Sequence, residues 1–258
     1  MLTHDELTPL GAVVTGLRVD TLGERDVRAL QELLADRGVV VLRGHGGTDD
    51  HRFLRFLRSL GTLTFTKGET PVSGFEDLNV ITNVGRATPP RSTFHTDTSY
   101  VRNPPIYTAL RAVRVPRRGG RTQFSDQYAA YDTLPADVRD RLAGRTITHV
   151  VTGLELDEDA ETCAEHPIFW THPISGRTAL YLSTPSRCAA ISGLSAGESA
   201  DTIAGLFRHS TREANVLAHA WAPHDVVIWD NRCVLHRADH TEVVGDRVMH
   251  RGMVAAAP

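Results

Sequence analysis

The apolar positions of this chain come in short runs set apart by glycine, proline and charged residues, and the period of the runs changes along its length. Residues 11–14 read as a short strand. Over residues 24–37, Val27, Leu30, Leu33 and Leu34 recur at helical spacing, and Gly38 supplies the stop. Val39-Val40-Val41-Leu42 is a buried strand that His45-Gly46-Gly47 breaks, and Asp49 or Asp50 caps a second helix with Phe53, Phe56, Leu57 and Leu60 on its inner face. From there the pattern loosens. Only Leu78-Asn79-Val80-Ile81 has the character of a strand, among glycines and prolines, so a mobile loop covering an active site is expected over about residues 61–93.

The second half is richer in strands. Residues 106–113 alternate as a strand does, residues 116–120 turn into Thr122-Gln123-Phe124, and a short helix is expected over about residues 135–143. Further strands fall at residues 146–151 and 178–182, with His166-Pro167 and His172-Pro173 marking turns. Ser195 caps a helix running to about residue 209, and strands at residues 225–229 and 247–254 bracket a loop that contains His236. Several strands and few helices, the helices gathered toward the two ends, predict a mainly β protein: a sandwich or jelly roll with flanking helices. With no internal repeat, low-complexity tract or domain boundary, a single domain over residues 1–258 is expected.

Composition narrows the partners. The formal net charge is −3 and no basic run is present, which argues against nucleic acid or an anionic membrane surface and for a small-molecule substrate. Lys67 is the single lysine, so arginine abundance reflects compositional bias as much as function. No apolar run approaches membrane-spanning length and the amino terminus has no signal-like pattern, so a cytoplasmic location is expected. Cys163, Cys188 and Cys233 are odd in number and widely spaced, and read as buried reduced thiols.

Candidate chemistry centres on Phe94-His95-Thr96-Asp97-Thr98-Ser99-Tyr100. In an extended segment residues i and i+2 point to one side, so His95 and Asp97 can close on one metal ion, and His236 is the best second histidine. Two histidines and a carboxylate on one face of an ion leave its other positions open, the arrangement preferred by non-haem Fe(II) oxygenases. Taken alone, a His-x-Asp pair among 13 histidines and 31 acidic residues is equally well a surface histidine beside a solvated aspartate.

Four ordered blocks change that balance: residues 94–100; Gly119-Gly120-Arg121-Thr122-Gln123-Phe124-Ser125-Asp126; Trp229-Asp230-Asn231-Arg232 leading to His236; and Arg247-Val248-Met249-His250-Arg251. Together they resemble the taurine dioxygenase / TfdA-like Fe(II)- and 2-oxoglutarate-dependent dioxygenases over most of the chain. The resemblance implies a distorted double-stranded β-helix (a cupin-like jelly roll) with His95, Asp97 and His236 as iron ligands. It implies that Arg247, supported by Thr122, holds the far carboxylate of 2-oxoglutarate, and that Arg251 holds an acidic group of the substrate. Tyr100 and Arg91 flank the iron motif as candidate substrate-pocket residues, and Lys67 or Arg91 is a candidate for a second acidic group. His149, His166, His172 and His250 read as structural, because three protein ligands suffice for an open site. The implied reaction is oxidation, by default hydroxylation, of an unactivated C–H bond in a small anionic molecule, consuming O2 and releasing succinate and CO2. Desaturation, cyclisation and oxidative decarboxylation use the same ligands. A non-catalytic binder on this fold and a zinc hydrolase are the competing classes. Members of the family associate, so a homo-oligomer is also an expectation.

Overall fold

A computed structural model describes residues 2–17, 19, 21–44, 48–65, 69–85, 92–153, 156 and 158–255. In it, the apolar runs of the sequence become the central strands. The first elements are β1 (His4–Glu6), β2 (Ala12–Thr15), α1 (Glu24–Arg37), β3 (Val39–Arg43) and α2 (Asp50–Leu60), followed by β4 (Thr62–Thr64), β5 (Pro71–Val72) and β6 (Phe75–Thr82). Next come β7 (Tyr107–Arg114), β8 (Thr122–Asp126), α3 (Gln127–Asp132) and α4 (Ala136–Leu142). β9 (Thr146–Val150), β10 (Cys163–Pro167), β11 (Phe169–Thr171), β12 (Thr178–Leu180) and β13 (Cys188–Ile191) lead to α5 (Ala196–Ser210). The last strands are β14 (Val216–His219), β15 (Val226–Asp230), β16 (Val234–Ala238) and β17 (Val248–Ala255).

The large sheet has the order β1-β2-β3-β15-β7-β17-β6-β5, with β4 also paired to β17, and a three-stranded sheet β14-β8-β16 faces it. This is a jelly roll. The strands of the large sheet are covered on both faces, so β3 and β15 read as unbroken apolar runs, and alternate residues go to different cores. Val40, Leu42, Val226 and Ile228 pack outward against α1 and α2 with Phe53, Phe56 and Leu57. Val39, Val41, Val227 and Trp229 pack inward with Phe124 of β8, Val234 of β16 and Met249 of β17. A third core, including Leu142, Ile147, Leu180 and Ile203, joins α4 and α5 to the small sheet β10-β9-β13 and the hairpin β11-β12.

Local signals account for the element ends. Gly38 stops α1 in a left-handed conformation (φ 73°), Asp49 caps α2 by accepting from the backbone N–H of Arg52, and Ser195 caps α5 in a reciprocal box with Glu198.

Five expectations require correction. Cys163 opens the edge strand β10 at an outward position and is exposed, while Cys188 and Cys233 are buried. His236 sits inside β16, paired opposite Phe124, rather than in a loop; β16 is short, and two of its five positions, His236 and Ala238, line the cavity described below, which hides the alternation. His166-Pro167 ends strand β10, an edge strand that pairs only with β9 and so tolerates a proline. The helices α3, α4 and α5 lie mid-chain rather than toward the ends, and α3, six residues capped by Asp126, is too short to carry a periodic signal. Within residues 61–93, three strands are present where one was expected; β4 and β5 are too short to show alternation.

Candidate active site

Two backbone hydrogen bonds bring the distant motifs together. His95 N–H donates to the His236 carbonyl and His236 N–H to the His95 carbonyl, both at 3.0 Å, an isolated antiparallel bridge that sets the two rings 4.3 Å apart between centroids. Thr96 turns the other way, its hydroxyl donating to the Leu182 carbonyl at 2.9 Å, so Asp97 returns to the side of His95. The Nε2 atoms of His95 and His236 lie 3.7 and 3.6 Å from the two oxygens of Asp97. These separations are too long for good hydrogen bonds and suit three donors facing one common point. Among the described residues this is the one His/Cys/Asp/Glu cluster with metal-ligand spacing, its ligand atoms all within 4.8 Å of one another.

Each of the three is prepared for that role by its surroundings. His95 Nδ1 donates to the Thr93 carbonyl at 2.8 Å, which fixes the tautomer and leaves the Nε2 lone pair facing inward. Burial pushes His236 down to about 3, which keeps its ring neutral at ordinary pH. Burial works against ionisation of Asp97, but its histidine neighbours and the Arg251 guanidinium more than offset this and hold its carboxyl well below the usual carboxylate range. Since His236 is neutral above pH 3, the fixed charge of Arg251 is what acts at pH 7. A buried relay also aims the carboxylate: Trp229 Nε1 donates to Asn231 Oδ1 (3.1 Å), Asn231 Nδ2 to Thr108 Oγ1 (2.9 Å), and the Thr108 hydroxyl to Asp97 Oδ2 (2.8 Å).

His95 and His236 line a cavity of about 520 Å³ whose far wall holds Thr122 and Arg247. Arg247 is 1% exposed. Its Nε donates to the Gly120 carbonyl (2.9 Å) and its Nη2 to Thr122 Oγ1 (3.1 Å), while Nη1 has no partner. Trp221 Nε1 also donates to Thr122 Oγ1 (3.1 Å). With two donors on that oxygen, the Thr122 hydroxyl proton is directed elsewhere. Burial pulls Arg247 down to about 10, still charged at neutral pH, and no ion pair to it is found among the described residues. An unpaired buried guanidinium is costly, and a carboxylate of a bound molecule relieves the cost.

Arg251, four residues on and within β17, lines the same cavity. Its Nη2 is 2.8 Å from Glu69 Oε1, its Nη1 is 3.4 Å from Asp97 Oδ1, and Asn79 Oδ1 lies 3.4 Å from both Nε and Nη2. Tyr100 is buried but lines an adjoining hollow of about 160 Å³ with Thr64, Phe65 and Thr98 rather than the main cavity. Arg91 and Lys67 lie outside the described residues. His149, His166, His172 and His250 are engaged with Ser99, the Ser99 and Val101 carbonyls, Asp230 and Asp50 respectively, and none joins the ligand cluster.

Sequence reasoning passed over Thr108, Glu69, Asn79 and Trp221 as site residues, and named Asn231 only as a member of a motif block. Thr108 was findable: it is a polar residue at an inward position of a strand whose alternation was plain. Glu69 left no signal, because it stands in a segment without periodicity.

Donors of this kind, two histidines and a carboxylate beside a cavity that also holds a buried cation, suit the iron oxygenases that consume a keto-diacid. Comparison with known proteins agrees. The model of the taurine catabolism dioxygenase TauD, TfdA family matches residues 3–253. The chain is 32% identical to the alpha-ketoglutarate-dependent 2,4-dichlorophenoxyacetate dioxygenase of Cupriavidus pinatubonensis, over 90% of this chain and 89% of that one. It is 30% identical to an alpha-ketoglutarate-dependent sulfate ester dioxygenase of Pseudomonas putida, over 98% and 88%. Among solved structures, a taurine dioxygenase from Burkholderia xenovorans superposes with a TM-score of 0.85 at 27% identity, covering 99% of this chain and 91% of that one. AAD-2 in complex with Mn(II) and N-oxalylglycine gives 0.85 at 25% identity, over 100% and 99%. The chain belongs to the taurine catabolism dioxygenase (TauD, TfdA) family. It is a 2-oxoglutarate-dependent dioxygenase, an oxidoreductase working with Fe(II), 2-oxoglutarate and O2.

Proposed function

We propose that this chain, acting as a single domain, hydroxylates an unactivated C–H bond of a small organic anion. His95, Asp97 and His236 hold Fe(II), Arg247 and Thr122 take the far carboxylate of 2-oxoglutarate, and Arg251 takes the acidic group of the substrate. The observation that carries the reading is buried Arg247, whose Nη1 has no partner among the described residues and which lines the same cavity as His95 and His236 of the ligand cluster. The iron centre with 2-oxoglutarate and O2 supplies an oxidant strong enough for such a bond, with succinate and CO2 as co-products.

The residues of the chain supply position and exclusion. Arg247 and Thr122 fix one end of the keto-diacid, so its other end reaches the histidines. Thr108 and Asn231 keep Asp97 in one orientation. Trp229, whose ring centroid is 4.5 Å from that of His236, closes the inner wall against water. Tyr100 borders the substrate end from the adjoining hollow, and Arg91 is assigned to the same end from sequence alone. The two relatives named above are dioxygenases of a phenoxyacetate and of a sulfate ester, which supports an anionic substrate for this chain as well.

Protein purified anaerobically and given Fe(II), 2-oxoglutarate and O2 is expected to form succinate, slowly even without substrate. A zinc hydrolase or a simple binder forms none. Replacing Arg247 by Met should raise the KM for 2-oxoglutarate on the order of 100-fold, because it strands a buried carboxylate. An unchanged KM would remove the assignment.

A further inference from the structure

Arg251 is already occupied. Its Nη2 is held by Glu69 at 2.8 Å, and its remaining nitrogens face Asp97 and Asn79. Glu69 is itself a cavity-lining residue, and its side chain is 27% exposed, against 9% for Arg251, so it sits at the solvent side of the pair.

The charges count against simple addition of an anion. Among the described residues, Asp97 and Glu69 are balanced by Arg247 and Arg251, and a divalent metal with a doubly charged keto-diacid leaves that balance at zero. A substrate monoanion entering with Glu69 in place would add an uncompensated charge beside the Glu69 carboxylate, which is disfavoured. With Glu69 turned out into water, the loaded site carries one positive charge more, seated on Arg251.

We propose that Glu69 is a built-in competitor for Arg251, and that an anionic substrate binds by exchanging its carboxylate, sulfonate or sulfate group for the Glu69 carboxylate. Glu69 is thereby a specificity-determining residue. The inference rests on the assignment of Arg251 to the substrate acid made above. Exchange keeps the loaded site neutral before and after binding, and leaves Arg251 paired throughout. It also means that affinity for the substrate is the difference between two ion pairs, one of them internal.

The test is calorimetric titration of the anaerobic Fe(II) and 2-oxoglutarate-loaded enzyme with 2,4-dichlorophenoxyacetate and with hexyl sulfate as probe monoanions. Removing the competing charge in Glu69→Gln, and independently in Glu69→Ala, should tighten binding of at least one probe about tenfold, the scale of a partly exposed ion pair. Equal or weaker binding in both variants overturns the proposal, as does absence of binding in all three proteins. A crystal structure of the wild-type enzyme with a bound probe offers a second check: a probe oxygen should stand on Arg251 Nη2 with Glu69 turned away, and a retained Glu69–Arg251 pair would refute exchange. Failure of the wild-type protein to form succinate from 2-oxoglutarate would instead strike at the underlying reading of the site.

Discussion

The side chain that most rewards attention beyond the three ligands is Thr108. It is fully buried, accepts from Asn231 and donates to Asp97, so its hydroxyl carries the orientation of the carboxylate back to Trp229 on the neighbouring strand. Thr108→Val keeps the shape and removes the donor, leaving a carboxylate oxygen and an amide hydrogen unsatisfied. Metal affinity is expected to fall roughly 10- to 100-fold, as for other residues that orient a ligand from behind. Fe(II) titration measures it, and Thr108→Ser should recover most of the loss. Spacing marked His95 and Asp97 only weakly until the four ordered blocks stood beside it, and Arg247 and Arg251 came from the last of those blocks. The Thr108 relay and Glu69 were not legible, because both depend on which strands become neighbours, and no local pattern encodes that.

At the scale of elements, the apolar runs predicted α1, β3, α2, β7, β15 and β17 within a residue or so, since each has a long amphipathic face or a fully buried span. What escaped were elements held by pairing rather than by their own composition: β4 and β5 on the large sheet, and β16, whose inward positions are given over to the site. One such contact is exacting. A Cβ at Gly252 of β17 would overlap Leu57 Cδ1 of α2 and come within 3.0 Å of Leu78 Cδ2 of β6, and both leucines are fully buried. Gly252→Ala should therefore destabilise the fold by about 1–3 kcal/mol through overpacking, read as a lower urea midpoint at unchanged slope. Gly120 has a chemical counterpart. At φ +67° and 3.1 Å from Arg247 Cδ, a side chain there would press on the arginine whose Nε its carbonyl receives.

For the whole molecule, the buried histidines set the response to acid. Burial pushes His149 from 6.5 down to about 3 and lowers His166 as well. Below about pH 6.5 the unfolded chain takes up protons that the folded chain refuses, so stability present at neutral pH is lost as pH falls toward 3. The slope is at most about 1.4 kcal/mol per pH unit for each such group. The depressed carboxylates Asp97, Asp225 and Asp230 lose their contribution only below their ordinary value of 3.8, and the Asp126 carboxyl, which burial raises, works in the opposite direction above it, so between about pH 4 and 6.5 the buried histidines outnumber the one group that opposes them. Urea midpoints across that window should fall with pH, and His149→Gln should flatten the trend; an identical slope in the variant would contradict this account.

The sheet order has a bearing on how the protein is made. Strand β17, which follows every other described strand in the chain, lies between β7 and β6 in the middle of the large sheet. Until it leaves the ribosome, two strand edges that synthesis has long since delivered stand open, and Arg251 is missing from the cavity. Nascent chains and truncations ending before residue 248 would thus be both inactive and prone to pair edge to edge, and demand for chaperone protection should peak just before β17 emerges.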